Sequence, residues 1–499
     1  MAVEALVAPH GRTLIDLFFK IVHPSFPILQ KHVFIEKYER DYREFVPALL
    51  ATVYLLAINW WQHSPELADL PTPDTDELER LVRRSLADSM GRPKLSTVEA
   101  ALLLAQMPGS SQWAPTAQLV AVGQELGLHL DCSGWDIPPW EKGMRKRLSW
   151  GIYMQDKWGA LIHGRPSHIS LSNWAVRSLT VHDFPDVDWD EDNNEQKEHA
   201  ETGQVILMRF IQLTGILTEI LDTFYTLAAM QKIENSGAQG AQTVLAQAKP
   251  IQLKLKEWYA GLPACVRLES LSTIGSHSPC RPSSVGYLHL AYFAAEISLH
   301  RRIISSLSAS PTTVDPYLEH ICRSAAKARL ISSMDFVNRL SPNHLASFWY
   351  FASKTNFALI GTFGSLLWAT SPGREEADWY RRRLAEYRWT LSVCAKPGQG
   401  QYLTGFAMDM LDTSTGMLLR QLPEKPSMSR CTSALDFAAR SLPSSFSGGG
   451  FGSGFSMQGS FSNLGSTLDR SSPQSLDSED DVSDEEDDVD DEDDYNTPM

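Results

Sequence analysis

Cysteine is scarce and scattered in this chain, with six cysteines in 499 residues. The two nearest, Cys265 and Cys280, are 15 positions apart, and no C-x-x-C occurs. A closed zinc site needs its ligands at tight spacing, so we predict no zinc cluster and no other metal site in this chain. Cys132 follows His129 in an isolated H-x-x-C, but two ligands do not complete a tetrahedral site. The dispersed thiols do not indicate a disulfide framework either.

Long apolar runs are also absent. The longest, from Pro47 to Trp61, has 15 residues and includes Asn59, whereas a membrane span needs roughly 20 residues. We therefore predict a buried helix there and no contact with a membrane. The N-terminus lacks a charged stretch followed by a short apolar core, so we do not expect secretion. Runs of alternating polarity are few, which argues against strands.

Sequence signatures of catalysis are missing. The chain contains no G-x-S-x-G, G-x-x-x-x-G-K-[ST], G-x-G-x-x-G or H-E-x-x-H, the patterns of a nucleophile elbow, a phosphate loop, a dinucleotide turn and a zinc-protease helix. Asp156 and His163 could form a base and its orienting partner, but a histidine that bonds a carbonyl at a helix end is more ordinary. We expect no enzyme activity, and we assign no catalytic, cofactor-binding or metal-binding residue.

Basic residues do not form the broad positive face that DNA-binding domains usually show. Two short clusters occur, Arg145-Lys146-Arg147 and Arg381-Arg382-Arg383. We interpret both as solvated helix ends, in preference to phosphate contacts or a nuclear import signal. The chain is therefore expected to bind duplex DNA weakly or not at all.

The C-terminal part differs from the rest in composition. Residues 441–476 are rich in Ser and Gly, and residues 477–494 hold 14 acidic residues and no basic one. Of the net charge of −16, this acidic stretch carries −14. Such segments cannot offset the entropy of ordering, so we predict a disordered linker at 441–476 and a disordered acidic tail at 477–499. Two interpretations stay open for the tail, an acidic and aromatic activation segment and a solubilising segment.

A helical pattern dominates the stretch from Met144 to Ile169, which reads MRKRLSWGIYMQDKWGALIHGRPSHI. Apolar residues recur there at spacings of three and four, and aromatic residues widen the stripe. This pattern predicts a helix that is covered on more than one side. Gly164 is the predicted stop. Pro166 holds Arg165 in an extended conformation, because its ring clashes with a preceding residue in the helical region.

Two earlier segments are also predicted to be helical. Apolar residues recur at helical spacing from Leu14 to Val22, and an extended connection with two prolines follows. Pro115 is predicted to open a second helix, which ends at Gly127.

Together these segments resemble the middle homology region, the regulatory domain of fungal zinc-cluster transcription factors of the xylanolytic-activator type. The similarity covers roughly residues 14–184, is thin to about 422, and includes a weaker helix, LHLAYFAAEISLHRR, at 288–302. Asp156 is expected to have an internal polar partner, for which Arg165 is the candidate by its proximity in sequence. The residues that carry the family motif, which we expect to be structural, are Arg147, Trp150, Asp156, Gly164, Arg165 and Pro166.

The resemblance implies an all-α fold, with one large multi-helix regulatory domain at residues 10–425. It implies a transcriptional regulator in the nucleus that acts through other transcription factors or coactivators and responds to a small-molecule inducer. The family's zinc and DNA contact depend on a cysteine cluster that this sequence lacks. Binding to DNA is therefore expected only through a partner or through a zinc cluster upstream of Met1. The alternative is a small-molecule receptor or a scaffold domain with no DNA-binding activity of its own.

Overall fold

The computed structural model describes residues 2–107, 113–184, 194–269, 284–309, 315–395 and 401–420. Within these ranges there are helices, turns and connecting segments but no strand, which confirms the all-α prediction. The predicted linker and acidic tail lie outside the described residues. The α-helices are α1 (Ala2–Val7), α2 (Gly11–Ile21), α3 (Lys31–Asp41), α4 (Pro47–Ile58), α5 (Thr75–Ser89), α6 (Leu95–Leu104), α7 (Trp113–Glu125), α8 (Pro139–His163), α9 (Asn194–Phe224), α10 (Leu227–Asn235), α11 (Gly240–Ala260), α12 (Val285–Ala309), α13 (Pro316–Asn338), α14 (Pro342–Leu345), α15 (Ser353–Ala369), α16 (Arg374–Cys394) and α17 (Phe406–Leu419).

Helix α4 lies at the centre of the first half of the fold. It is apolar on every side, and every residue from Ala48 to Ile58 is buried. Pro47 begins the helix, at a position where the missing N–H costs nothing. Helices α2, α5 and α6 pack around it. The predicted buried helix is therefore confirmed.

Helix α9 connects the two halves, because it packs against α8 on one side and against α11 and α12 on the other. Its segment Lys197–Phe224 is long and apolar enough to cross a membrane by length and composition alone, but half of an apolar 18-residue stretch within it is buried inside the protein. The apolar residues of α9 thus serve the core of this fold.

Helix α12 lies at the centre of the second half. Every residue from 284 to 300 is buried, because α9, α11, α13 and α15 surround the helix. Helix α15 packs in turn against α16 and α17. The helix that we predicted at 288–302 is part of α12.

Direct contacts also join the first half to the second. The Trp60 Nε1 group donates to the Ala346 carbonyl at 2.7 Å, and the Tyr287 hydroxyl donates to the Ser25 carbonyl at 3.2 Å. One cluster of buried apolar side chains has members from α1 to α17. The two halves therefore share a core.

Candidate functional site

The motif helix α8 ends where the sequence predicted. Its last residue is His163, and Gly164 follows with φ 60° and ψ 35°, a left-handed conformation that glycine adopts without strain. The Arg165 N–H donates to the Ala160 carbonyl at 3.2 Å. This bond satisfies one of the last carbonyl groups of the helix, which would otherwise lack a partner.

After Gly164 the chain doubles back along α8. We call residues 164–184 the strap; apart from two short 3₁₀ turns it has no helix of its own. Its hydrogen bonds reach α8 in reverse order along the helix, so the strap runs antiparallel to it. The contacts join 167–169 to Asp156, Arg177 to Trp150, and Asp183 to Arg147. Three of the motif residues thus each hold one point of the strap.

Asp156 makes the first of these contacts and is completely buried. Its Oδ1 accepts the backbone N–H of His168 at 2.9 Å and lies 2.9 Å from the Nδ1 of the same residue. Its Oδ2 accepts the Ser167 hydroxyl at 2.5 Å and the Ile169 N–H at 3.1 Å. A buried carboxylate requires such partners, because its desolvation costs several kcal/mol. The carboxylate therefore fixes the backbone at the start of the strap.

These contacts join Asp156 to residues that follow the turn at Gly164. The left-handed turn reverses the chain, so that residues a few positions beyond it pass over the helix two turns back from its end. The predicted pairing of Asp156 with Arg165 stays a prediction.

Lys157 completes this polar group and is 2% exposed. Its Nζ donates to the Ile169 carbonyl at 2.6 Å and to the Ser167 hydroxyl at 2.5 Å, and it lies 3.8 Å from Asp156 Oδ2. Burial lowers the pKa of Lys157, and the charge of Asp156 opposes this effect. Ser, Lys, His and Asp also occur together in hydrolytic sites, but here these side chains form hydrogen bonds with each other and with the strap backbone. We call the set Asp156, Lys157, Ser167 and His168 the latch.

Aromatic residues of α8 make the second contact with the strap, and they also contact α9. The Trp150 Nε1 donates to the Arg177 carbonyl at 2.9 Å. On the side of α9, the Tyr153 hydroxyl lies 2.7 Å from Thr218 Oγ1. Each polar tip has a partner while each ring is packed, as expected of core aromatic residues.

Arg147 makes the third contact and is 1% exposed. Its Nη1 donates to the Asp183 carbonyl, and the guanidinium lies over the Phe184 ring at 5.9 Å. Burial lowers the pKa of Arg147 to about 10, while the charges of Glu99 and Asp183 oppose the shift. Among the described residues its Nε and Nη2 have no hydrogen-bond partner. Arg147 is thus a core residue that ties the end of the strap to α8.

The first basic cluster as a whole is used inside the fold. Lys146 Nζ lies 2.9 Å from Asp183 Oδ1, and Arg145 Nε lies 2.9 Å from Glu141 Oε1. The side chains of Lys146 and Arg145 are 14% and 18% exposed. The interpretation of this cluster as a solvated helix end is therefore wrong. Sequence alone did not show that the strap brings Asp183 to Lys146 and Arg147.

The second basic cluster agrees better with the prediction. Arg381 and Arg382 are exposed on α16. Arg383 is the exception, because it is buried and its guanidinium bonds Asp335 at 3.0 Å and Glu386 at 2.8 Å.

Comparison with protein families gives this region an identity. The family model described as fungal specific transcription factor domain matches residues 15–260. Residues 15–260 are a fungal-specific transcription factor domain. The domain begins in α2, ends with α11 and contains α8, the strap and the latch. This confirms the resemblance seen in the sequence, while the boundaries 10–425 stay a prediction.

Relatives of the fungal-specific domain are regulators by name. The chain is 39% identical over 430 residues to the transcriptional activator protein DAL81 of Saccharomyces cerevisiae, covering 79% of this chain and 43% of the relative. It is 30% identical over 226 residues to an uncharacterized transcriptional regulatory protein of Schizosaccharomyces pombe, covering 44% and 33%. An acetamidase regulatory protein of Aspergillus fumigatus is 27% identical over 377 residues, covering 72% and 43%. The chain thus spans less than half the length of each relative. No solved structure matches it.

Proposed function

We propose that this chain is the regulatory part of a fungal transcriptional regulator, which acts in the nucleus through contacts with other transcription factors or coactivators. The observation that carries the proposal is the 39% identity to a transcriptional activator over 79% of the chain. The contacts of Arg147, Trp150 and Asp156 support it, because these residues make hydrogen bonds within the fold. We assign the chain no reaction, since its relatives are named as regulators.

We further propose that the chain does not bind DNA by itself. Phosphate contacts need accessible Lys and Arg side chains, whereas Arg145, Lys146 and Arg147 are engaged within the fold. Within the described ranges no group of three or more His, Cys, Asp and Glu side chains is placed to hold a metal ion. DNA and zinc would then belong to a partner or to a cysteine cluster outside this sequence.

A tethering experiment tests the regulatory role. The chain is fused to an unrelated DNA-binding domain, and expression of a reporter with the matching binding site is measured. We expect expression to change, up or down, relative to the DNA-binding domain alone. Unchanged expression with the fusion present in the nucleus would contradict the proposal. A fusion that carries Asp136→Ala, at an exposed position, should give the same reporter expression as the wild-type fusion.

DNA binding is tested separately with the purified chain. We expect no sequence-specific shift of duplex DNA in gel electrophoresis at physiological salt. A sequence-specific shift would overturn this part of the proposal while leaving the regulatory role intact.

The C-terminal residues provide a third test, which separates the two interpretations of the tail. Residues 441–499 alone, fused to the same DNA-binding domain, are expected to activate the reporter if aromatic residues engage a coactivator. Replacing Phe446, Phe451, Phe455 and Phe461 by Ala should then abolish activity at unchanged charge. A silent wild-type fusion, or a four-alanine variant of equal activity, would favour the solubilising segment.

A response to a small molecule is the second candidate function. A cleft of about 470 Å³, lined by Tyr259, Leu262 and Leu268 among others, favours it.

A further inference from the structure

Two adjacent arginines in the last third of α12 lack an acidic partner. Arg301 and Arg302 are both half-buried, and among the described residues neither forms an ion pair. In the same part of the chain, the buried Nε of Arg302 has no hydrogen-bond partner. Like charges at this separation repel each other, and partial burial reduces the screening by water and salt. An acidic partner would therefore stabilise this end of α12.

The end of α9 and the start of α10 lie beside these arginines. The Tyr225 hydroxyl donates to the Ser298 carbonyl of α12 at 2.6 Å. Burial raises the pKa of Tyr225, and the charges of both arginines oppose this shift, so both guanidinium groups lie near its hydroxyl. Leu227 is 78% exposed, more than any other large apolar side chain of the described residues. We call Tyr225, Leu227, Arg301 and Arg302 the arginine surface.

Acidic residues are missing from the two segments that form the arginine surface. Residues 223–233 and 297–309 contain no Asp or Glu. Asp222, which precedes the first segment, acts on side chains of α8. Glu296, which precedes the second segment, lies 3.2 Å from Arg329. The two nearest acids in the sequence are thus engaged with other residues, and the counter-charge must come from elsewhere.

The acidic tail of the same chain, residues 477–499, has the complementary charge. Its residues 477–494 carry 14 acidic side chains and no basic one. The last described helix, α17, packs against α15, and α15 packs against α12, so the tail follows from the same half of the fold. As a flexible Gly/Ser chain, the predicted linker 441–476 would span roughly 30 to 36 Å. This span exceeds the radius of gyration of about 22 Å expected for a domain of roughly 420 residues.

A second pair of arginines provides a comparison. Arg381 and Arg382 are exposed on α16. However, Arg381 Nη2 lies 3.3 Å from Asp378 Oδ1, and the first turn of α16 holds Glu375 and Glu376. These acids offset the charge of the pair. The α16 pair is thus a less favourable site for an acidic segment, and it serves as a matched control.

We propose that the acidic tail binds the arginine surface of its own chain, with its carboxylates at Arg301 and Arg302 and its apolar side chains against Leu227. In this state the tail is covered and does not meet a partner protein. The contact goes beyond the proposed regulatory function. It is measured on the purified chain without a reporter, so its failure would leave that function intact.

The NMR amide signals of the tail in the full chain test this contact. A tethered segment has an effective concentration in the millimolar range, so even a contact of millimolar affinity is occupied about half of the time. A bound tail tumbles with the large domain, which broadens its signals. At about 0.1 M salt we therefore expect the wild-type tail signals to have half or less of their intensity in Arg301→Gln/Arg302→Gln. Salt at about 1 M should remove this difference, because it screens charges beyond roughly 3 Å.

The α16 pair controls for a general effect of charge. Arg381→Gln/Arg382→Gln removes the same number of cations and should leave the tail signals as weak as in the wild type. Equal tail intensity in the wild type and in Arg301→Gln/Arg302→Gln would overturn the proposal. An equal gain in the α16 variant would overturn it as well, because the tail would then respond to net charge and not to one surface.

A change in the tail alone tests the same surface without altering the domain. The variant carries Asp484→Asn, Glu485→Gln, Glu486→Gln, Asp487→Asn and Asp488→Asn. Amide hydrogen exchange near Leu227 should become faster in this variant, because the bound tail covers the start of α10, while exchange near Arg381 should stay the same. Equal exchange near Leu227 in both chains would refute the contact. This measurement decides even where Arg301→Gln/Arg302→Gln fails to fold.

Discussion

Helices α8 and α12 are both 25 residues long, and each lies deep in its own half of the fold. They are covered in different ways. Four helices surround α12. The backbone N–H and C=O groups of these four helices form hydrogen bonds within each helix. One side of α8 is covered by the strap, whose backbone forms no regular helix or sheet, so side chains of α8 must meet its N–H and C=O groups.

This difference explains which part of the sequence carries a recognisable motif. A helix packed on helices accepts many apolar side chains of suitable volume. A helix packed on irregular chain needs a particular acceptor or donor at each contact. Arg147, Trp150 and Asp156 are such groups, and the matched domain, residues 15–260, contains α8 but not α12.

The largest effect is expected at the latch. Asp156→Ala removes the acceptor of two backbone N–H groups and takes from the buried Lys157 the carboxylate that lies 3.8 Å from its Nζ. Breaking a buried pair in this way should lower the free energy of unfolding by about 3 to 5 kcal/mol, measured by urea denaturation. The matched control Asp136→Ala should change it by less than about 0.5 kcal/mol.

A volume-conserving change in α12 sharpens this prediction. Leu290→Met, at a completely buried site, should cost less than about 1.5 kcal/mol. If it costs as much as Asp156→Ala, the contrast between the two helices is wrong.

Acid should destabilise the α12 side of the core. Burial lowers the pKa of His289 and of His300 to about 4, below the value of roughly 6.5 expected in the unfolded chain. The unfolded chain then binds more protons between these values. The free energy of unfolding is therefore highest above pH ~6.5 and falls as the pH drops towards ~4, by roughly 1 to 3 kcal/mol for each group.

The pH dependence of urea denaturation checks this slope. The double variant His289→Gln/His300→Gln should flatten it, whereas His32→Gln, at an exposed position, should not. An equal slope in the wild type and the double variant would show that other groups are responsible.

The stop of α8 should have a moderate effect. Gly164 has φ 60°, a conformation that costs other residues roughly 1 to 2 kcal/mol. Gly164→Ala should lower the thermal midpoint accordingly. Gly91→Ala is the control, because a Cβ at Gly91 would meet no atom within 4 Å. Equal midpoints for the two variants would count against a strained turn.

The smallest effect is expected at the second contact of the strap. Trp150→Phe removes the hydrogen bond to the Arg177 carbonyl but keeps an aromatic ring. The loss should be about 0.5 to 1.5 kcal/mol, and amide hydrogen exchange should show faster exchange around Arg177. Trp389→Phe, at an exposed position on α16, should leave exchange there unchanged. If the amides around Arg177 exchange equally fast in both variants, the Trp150 indole does not hold the strap.

Several elements could be predicted from local pattern. Helices α2, α4, α7 and α8 follow from apolar spacing together with Pro and Gly at their ends, since these signals act within a few residues. The buried state of Asp156 also followed from its position on a helix with apolar and aromatic sides. Its partners did not, because Ser167, His168 and Ile169 reach it only after the chain reverses.

The cleft could not be predicted in the same way. Tyr259 and Leu268 are close in sequence, but His289 and Tyr292 behind Tyr259 belong to another helix. Nothing in the spacing of Leu262 and Leu268 indicates that an apolar space lies between α11 and the segment that follows it.

By itself the sequence determined the all-α class, the buried helix at Pro47, the end of α8 at Gly164 and the absence of a cysteine cluster. Each depends on composition or on contacts within one or two helical turns. Only the tertiary structure decided that Arg145, Lys146 and Arg147 are engaged inside the fold, that the strap closes on Asp156, and that a cleft lies beside Tyr259. These features depend on pairs of residues that are far apart in the chain or belong to different elements. Each polar side chain has many compatible partners, and its type alone does not specify which of them the folded chain brings within hydrogen-bonding distance.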